Sequence, residues 1–235
     1  MRSNIPISRL FRLSAFPPFC RSALPPITQI QDLPHFCTIN HINHFNHIEM
    51  RKLKLQMQMS VDGFVAGPEG QLDWMTWTWD VRLQDFVREL TDSVDTIVMG
   101  RKMAEGFMRH WEAATNNPDD PSKPFADLMV GYPKVIFSRT NQTVSGINAT
   151  MATKPIVEAI QELKQQDGKD IIAYGGAGFV TSLIENGLID ELNLFINPTA
   201  IGEGLTIFSG KTPFELDNST RYGCGIVVNK YVPVK

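Results

Sequence analysis

Apolar patterns of period two and of helical period alternate along this chain from about residue 53 to residue 197. Leu53, Leu55, Met57 and Met59 alternate with polar residues, which predicts a half-buried strand. A helical pattern follows at 80–91. The alternation continues with strands at 95–100, 134–138, 170–174 and 190–197 and with helices at 101–111, 153–167 and 178–187. Strands that alternate with helices indicate a mainly parallel sheet.

The C-terminal part of the chain breaks this alternation. Residues 212–220 and 223–232 follow one another with no helical pattern between them. Two such segments predict an antiparallel hairpin, which is common at the edge of large mixed sheets. The sequence therefore predicts an α/β fold with a mainly parallel, twisted sheet, an antiparallel C-terminal edge and helices on both faces.

Charge and cysteine content narrow the classes of function. The net charge is −3, so no basic field argues for nucleic acid or an anionic membrane surface. Apolar runs stay well short of the ~20 residues that a membrane span needs. The three cysteines lie far apart without a CxxC motif, which predicts neither a disulfide framework nor a metal site. A reducing, cytoplasmic location fits this composition.

The first 49 residues differ from the rest in composition. They are rich in proline and arginine and contain no acidic residue before Asp32. An organelle transit peptide is one interpretation, although the prolines oppose an amphipathic helix. The spacing of His41, His44 and His47 suggests a metal site, but no cysteine or carboxylate completes the set of metal ligands. We expect a disordered or non-native extension at 1–49 and a folded domain at 50–235.

A cluster of glycines lies where the strand at 170–174 meets the next helix. Gly175, Gly176 and Gly178 follow the apolar residues Ile-Ile-Ala-Tyr. Glycines at such a junction allow positive φ or the close approach of another group to the backbone. A helix that opens on bare N–H groups can bind a phosphate. The alternative is a tight turn in which small residues serve packing only.

Basic and hydroxyl residues follow two other predicted strands. Gly100 ends the strand at 95–100 and is followed by Arg101 and Lys102, and Ser138 ends the strand at 134–138 and is followed by Arg139. Ligands of α/β folds bind beyond the carboxyl ends of the strands. An Arg-Lys pair beside a diphosphate site suits the 2′-phosphate of NADP. The glycines lack the acidic residue that normally follows a dinucleotide fingerprint, so an ordinary Rossmann domain is not indicated.

Five short motifs occur in a fixed order: MSVDGFVA at 59–66, VMGRK at 98–102, VIFSRT at 135–140, YGGA at 174–177 and IDEL at 189–192. This set resembles the dihydrofolate reductase superfamily, and most closely the C-terminal reductase domain of bifunctional riboflavin-biosynthesis proteins. Met103 and Ala104 depart from the threonine and aromatic residue that are common there. The resemblance implies a reductase domain at 50–235 with a dihydrofolate-reductase-like sheet, and a homodimer.

The resemblance also implies an NADPH site at the strand ends. Its residues come from three segments: Gly100, Arg101 and Lys102; Ser138 and Arg139; and Gly175, Gly176, Ala177, Gly178 and Phe179. We further expect a small-molecule substrate, and we expect the protein to bind no nucleic acid, membrane or metal.

Four residues are candidates for contact with the substrate. Asp62 matches an acid of the riboflavin branch and is the catalytic candidate, as proton donor or substrate anchor, although Asp-Gly also favours a turn. Ser60 belongs to the same motif. Trp74 would stack on a flat ring or simply pack. Asp85 occupies roughly the position of the pterin-binding acid of dihydrofolate reductases, although its helix register also favours solvent.

Three functions are consistent with these residues. The first is an NADPH-dependent reductase of a small heterocycle, for which the resemblance suggests a ribosylaminopyrimidine precursor of riboflavin. The second is dihydrofolate reductase, which requires Asp85 in the pocket. The third is a nucleotide-binding protein without turnover, which would keep the glycines but turn Asp62 away from the site.

Overall fold

A computed structural model describes residues 50–140 and 143–234 of the chain. The expectations for residues 1–49 lie outside the described residues. Eight strands form one sheet: β1 (Leu53–Ser60), β2 (Val94–Gly100), β3 (Lys134–Phe137), β4 (Ala149–Met151), β5 (Asp170–Tyr174), β6 (Glu191–Asn197), β7 (Phe214–Arg221) and β8 (Val227–Pro233). Five helices connect them: α1 (Val81–Asp92), α2 (Arg101–Asn116), α3 (Lys123–Gly131), α4 (Ile156–Gln165) and α5 (Ala177–Glu185).

The sheet has the order β4-β3-β2-β5-β1-β6-β8-β7. Every pairing from β4 to β6 is parallel, whereas β8 pairs antiparallel with both β6 and β7. The predicted α/β class, the mainly parallel sheet and the antiparallel C-terminal edge are confirmed. Because β1 lies between β5 and β6, its side chains face helices on both sides of the sheet.

The two faces of the sheet carry different helices. Leu53, Leu55 and Met57 of β1 pack in one cluster with side chains of α4 and α5. Side chains of α1, α2 and α3 cover the opposite face in two further clusters. Lys54, Gln56 and Gln58 project toward that second face, because side chains alternate along a strand. The polar positions of β1 therefore lie beneath helices.

Capping explains where two of the helices begin. Asp80 is the N-cap of α1, and its carboxylate accepts a hydrogen bond from the Leu83 N–H at 3.0 Å. The predicted start of this helix is thus correct. The helix predicted at 153–167 begins later than expected, with Pro155 at the N-cap of α4, because the fixed φ of proline suits a helix entrance.

Two elements were not predicted from the sequence. Helix α3 begins with Pro124 in its first turn and buries Ala126 and Met129, in a part of the chain for which no helix was predicted. Strand β4 has three residues, too few for an alternating pattern. Of the helices within residues 50–140 and 143–234, none combines the length and apolarity required to span a membrane.

Candidate functional site

A cleft of about 2310 Å³ opens at the carboxyl ends of the parallel strands. Strands β1, β2, β3 and β5 all contribute residues to its lining. This is the edge at which open α/β sheets bind ligands. The volume exceeds the ~300–1,000 Å³ of pockets for drug-sized molecules, so the cleft has room for a dinucleotide and a small substrate.

The structure brings the ten predicted nucleotide-site residues to this one cleft. They line it as three turns: Gly100, Arg101 and Lys102; Ser138 and Arg139; and Gly175, Gly176, Ala177, Gly178 and Phe179. The turns are far apart in sequence and meet because β2, β3 and β5 are neighbours or near neighbours in the sheet.

The glycine turn after β5 combines positive φ with close packing. Gly175 and Gly176 have φ of +44° and +89°, and Gly176 is the N-cap residue of α5. A Cβ atom at Gly175 would lie 2.7 Å from the Met103 sulfur. The first N–H groups of α5 have no acceptor within the helix, so they can receive a phosphate oxygen. These features fit the pyrophosphate of a dinucleotide.

Cationic side chains surround this turn. Arg139 donates from Nη2 to the Ser182 hydroxyl at 2.9 Å and to the Gly178 carbonyl at 3.3 Å, which holds its guanidinium over the start of α5. Arg101 pairs with Glu105 at 3.5 Å, and Lys102 is exposed. Three cations beside free helical N–H groups suit a ligand with more than one phosphate.

Aromatic side chains line the same part of the cleft. The Phe137 and Phe179 rings stack with centroids 5.2 Å apart. Phe179 was predicted to belong to the site, whereas Phe137 was not. Phe137 could have been predicted, because it is the last residue of β3 and directly precedes Ser138. Lys154 and Arg88 also line the cleft and were missed.

Asp62 and Ser60 do not line the cleft. The Asp62 carboxylate accepts hydrogen bonds from the Ser60 hydroxyl at 2.6 Å, the Gly202 N–H at 2.7 Å and the Ile201 N–H at 3.1 Å. The hydrogen bond from Ser60, followed by the one from Gly202, lowers the pKa of Asp62 below its ordinary value. The carboxylate is therefore ionised at neutral pH and ties the turn after β1 to the loop around residue 201. Its role as proton donor or substrate anchor stays a prediction.

The structure also places Trp74 and Asp85 outside the cleft. Trp74 lines a separate small pocket of about 430 Å³, and its Nε1 donates to the Gln71 carbonyl at 3.2 Å. Trp77 and Trp79 line the main cleft instead. Asp85 pairs with Arg88 at 3.0 Å on the exposed face of α1.

Polar side chains form part of the cleft floor on the α1 side of the sheet. Gln56 and Tyr174 line the cleft, and Asn193 is buried beside Gln56. Gln56 Oε1, the Tyr174 hydroxyl and Asn193 Oδ1 are buried without a hydrogen-bond partner among the described residues. An unpaired buried polar group costs about 1–3 kcal/mol.

Burial raises the pKa of the Tyr174 hydroxyl, which stays protonated. That hydroxyl lies near the hydroxyl of Thr91, which itself donates to the Val87 carbonyl at 2.8 Å. Sequence reasoning missed these three polar residues, because alternation in β1 marks Gln56 only as the polar side of a strand. Among the described residues, no three His, Cys, Asp or Glu side chains are grouped closely enough to hold a metal ion.

Comparison with known proteins identifies the family. The model of the RibD C-terminal domain family matches residues 51–228. The chain belongs to this family. The resemblance drawn from the five motifs is thereby confirmed.

Two curated relatives differ in length. The uncharacterized protein YyaP of Bacillus subtilis is 31% identical over 185 residues, which cover 77% of this chain and 95% of that protein. The riboflavin biosynthesis protein RibD of Corynebacterium ammoniagenes is 23% identical over 171 residues, covering 69% of this chain but only 48% of that protein. The chain therefore resembles a stand-alone relative along almost its full length and about half of a longer one.

Three solved structures share the fold. A putative riboflavin biosynthesis protein from Shewanella sp. PV-4 has a TM-score of 0.57 at 21% identity, covering 79% of this chain and all of its own. The Thermotoga maritima diaminohydroxyphosphoribosylaminopyrimidine deaminase/5-amino-6-(5-phosphoribosylamino)uracil reductase has 0.56 at 16%, covering 79% and 57%. Dihydrofolate reductase of Enterococcus faecalis in complex with NADP(H) and RAB-propyl has a TM-score of 0.52 at 13% identity, covering 78% of this chain and 97% of its own. At these identities the likeness concerns the fold.

Proposed function

We propose that the chain is an NADPH-dependent oxidoreductase that reduces a small heterocyclic substrate. The observation that carries this proposal is the convergence of the ten predicted nucleotide-site residues on one cleft at the carboxyl edge of the sheet. Membership of the RibD C-terminal domain family supports the same reaction class. The E. faecalis neighbour, whose structure contains NADP(H), supports a nicotinamide cofactor.

The substrate we propose is a ribosylaminopyrimidine of the 5-amino-6-(5-phosphoribosylamino)uracil type. The name of the T. maritima neighbour specifies this compound, and the C. ammoniagenes relative is a riboflavin biosynthesis protein. The cleft offers cations for phosphate and aromatic side chains for a flat ring. Both are features that such a substrate requires.

The residues of the chain would divide the work between binding and orientation. The turn at Gly175 and Gly176 and the start of α5 would hold the pyrophosphate, with Arg101, Lys102 and Arg139 beside it. When bound, NADPH supplies a hydride from its nicotinamide ring. The apolar walls of the cleft, including Phe107 and Trp111, would exclude water from the reacting ring.

A titration of the full chain with NADPH and with NADH tests the cofactor. We expect NADPH to bind more tightly, and we expect Arg101→Ala and Lys102→Ala to remove that preference. Lys211→Ala, at an exposed lysine outside the cleft, is the matched control. Failure of both nucleotides to bind at millimolar concentration would refute the proposal.

The position of Asp62 favours one alternative, a nucleotide-binding protein without turnover. Its carboxylate turns toward the loop around residue 201 rather than into the cleft. The two functions differ in whether NADPH is oxidised when the pyrimidine substrate is added. Dihydrofolate reductase has less support, because Asp85 lies outside the cleft.

We also propose that the protein forms a homodimer in the cytoplasm, as the resemblance implies. Sedimentation of the purified full chain tests the dimer. A monomer at micromolar concentration would contradict it.

A further inference from the structure

A row of polar side chains crosses three neighbouring strands on the α1 side of the sheet. Gln56 of β1 is in register with Tyr174 of β5 on one side and with Asn193 of β6 on the other. Side chains at paired positions of neighbouring parallel strands project from the same face. All three carry a buried polar atom that lacks a hydrogen-bond partner among the described residues.

The other polar side chains of β1 on this face are paired. Lys54 Nζ donates to the Ser93 hydroxyl at 2.8 Å and forms an ion pair with Asp170 at 2.9 Å. Gln58 Oε1 accepts a hydrogen bond from Asn197 Nδ2 at 2.8 Å. Of these three polar side chains of β1, only Gln56 has a buried polar atom without a hydrogen-bond partner among the described residues. An unpaired buried group at the floor of a cleft indicates a bond completed by a ligand.

The chemistry of the carboxamide defines the ligand edge that it can complete. A carboxamide presents one acceptor oxygen beside N–H donors. Its complement is a ring edge on which an N–H lies next to a C=O, as in a neutral lactam or cyclic imide. Tyr174 and Asn193, the strand neighbours of Gln56, carry no charge that would select a cationic ring.

The cleft has no buried carboxylate among its described lining residues that could hold a cationic ring in the way that Gln56 could hold a neutral one. Of the described residues that line the cleft, only Glu69 and Asp92 are acidic, and both are exposed. Asp85 does not line the cleft, and its carboxylate is paired with Arg88. A protonated ring needs a buried carboxylate partner, whereas a neutral imide needs only hydrogen bonds.

We propose that Gln56 is a specificity-determining residue whose carboxamide hydrogen-bonds the N–H/C=O edge of a neutral lactam or imide ring in the substrate. This inference deepens the proposed function and rests on it for the position of the substrate. Asn193 extends the same polar row onto β6. Gln56 selects the ring and takes no part in hydride or proton transfer.

The test measures binding of two small probes to the full chain by calorimetry, with and without NADPH. 5,6-Diaminouracil carries the neutral imide edge, and 2,4-diaminopyrimidine carries a basic amidine edge instead. We expect the wild type to prefer 5,6-diaminouracil and Gln56→Met to weaken that probe by about tenfold or more. Gln56→Glu should reverse the preference, because a carboxylate pairs with a protonated amidine. Gln161→Met, at an exposed position of α4, should change neither affinity.

Two further readouts separate this role from a structural one. Gln56→Met should unfold at the same or a higher temperature than the wild type, because it removes an unpaired buried acceptor. The affinity for NADPH should not change. Equal binding of 5,6-diaminouracil by wild type and Gln56→Met, or no binding of this probe by the wild type at millimolar concentration, would overturn the inference. Gln56-dependent probe binding without any NADPH binding would instead refute the proposed function and leave this inference standing.

Discussion

Gly100 lies directly against Phe179, so that a Cβ atom at Gly100 would come within 2.9 Å of the Phe179 Cβ atom. This contact joins the end of β2 to the first turn of α5. The two turns that would receive the phosphates are thereby held at a fixed separation. Gly176 is part of the same junction, since a Cβ atom there would lie 3.8 Å from the Gly100 Cα atom.

A side chain at Gly100 should separate the two turns. We expect Gly100→Ala to lower the free energy of unfolding by about 1–3 kcal/mol, because the added methyl group overpacks the junction. Affinity for NADPH should fall in parallel. Urea unfolding and nucleotide titration measure both effects. Gly131→Ala is the control, since a Cβ atom there meets open space, and it should change stability by less than about 1 kcal/mol.

Alanine substitutions at Gly176 and Gly178 should distinguish the effect of backbone strain from the effect of blocking the close approach of a ligand. Gly176 has a φ of +89°, so Gly176→Ala should cost about 1–2 kcal/mol of stability as well as nucleotide affinity. Gly178 has no positive φ, and a Cβ atom there meets nothing within 4 Å. Gly178→Ala should therefore fold normally and lose only NADPH affinity. Normal binding by Gly178→Ala would show that the cofactor does not approach this residue.

Asp62 should affect stability in a pH-dependent way. Its hydrogen bonds lower the pKa in the folded state, so the contribution is present above the ordinary value of 3.8 and is lost as pH falls through the lower folded value. Asp62→Asn should have a lower urea midpoint than the wild type at pH 7, and the difference should shrink at acid pH. Asp167→Asn, at an exposed residue, is the control. A pH-independent difference would contradict the carboxylate's role in the loop.

Turnover by Asp62→Asn distinguishes the two roles of this residue. If the carboxylate only ties the loops together, NADPH oxidation should persist with a modest change in KM. Complete loss of turnover in a folded variant with normal NADPH binding would instead support direct participation in the reaction.

Arg51 should stabilise the fold without affecting the cleft. Its buried guanidinium bonds the Lys169 carbonyl and Asp95 and donates to the Thr96 hydroxyl at 2.8 Å, near the amino ends of β1, β2 and β5. Arg51→Met should lower the free energy of unfolding by about 1–3 kcal/mol, because the buried Thr96 hydroxyl and the half-buried Asp95 carboxylate lose a hydrogen-bond partner. NADPH affinity should stay within twofold of the wild type. A large loss of affinity in the folded variant would show coupling between the two edges of the sheet.

Sequence patterns predicted the fold well for strands whose side chains are buried on both faces of the sheet. The apolar runs of β2, β3 and β5 could scarcely form anything but interior strands, and Asp80 marked the start of α1. Strand β4 was beyond such reasoning, because three residues at an edge are held by β3 rather than by their own pattern. Helix α3 was missed because Pro118, Pro121 and Pro124, before and at its start, favour a loop.

The candidate site was predictable only in part for a similar reason. Glycines and basic residues at strand ends predict a phosphate site, because few other functions require both residue types together. Gln56 gives no such signal: in the sequence it is simply a polar residue of an alternating strand. Its significance depends on α1 covering that face and on Tyr174 and Asn193 arriving beside it. Asp62 shows the opposite case, since its motif indicates the cleft while its hydrogen bonds lead to Gly202.

The central position of β1 determines when the cleft can come into existence during synthesis. Leu53 pairs with Ile171, and Lys54 pairs with Glu191, so both neighbours of this strand are made more than a hundred residues later. At about 5–20 residues per second, the ribosome leaves β1 without partners for several seconds or more. Strand β1 is thus synthesised before both of its neighbours and must wait for them before it can enter the sheet. Until then Leu53, Leu55 and Met57, which are core residues of the folded protein, lack the strands that will flank them.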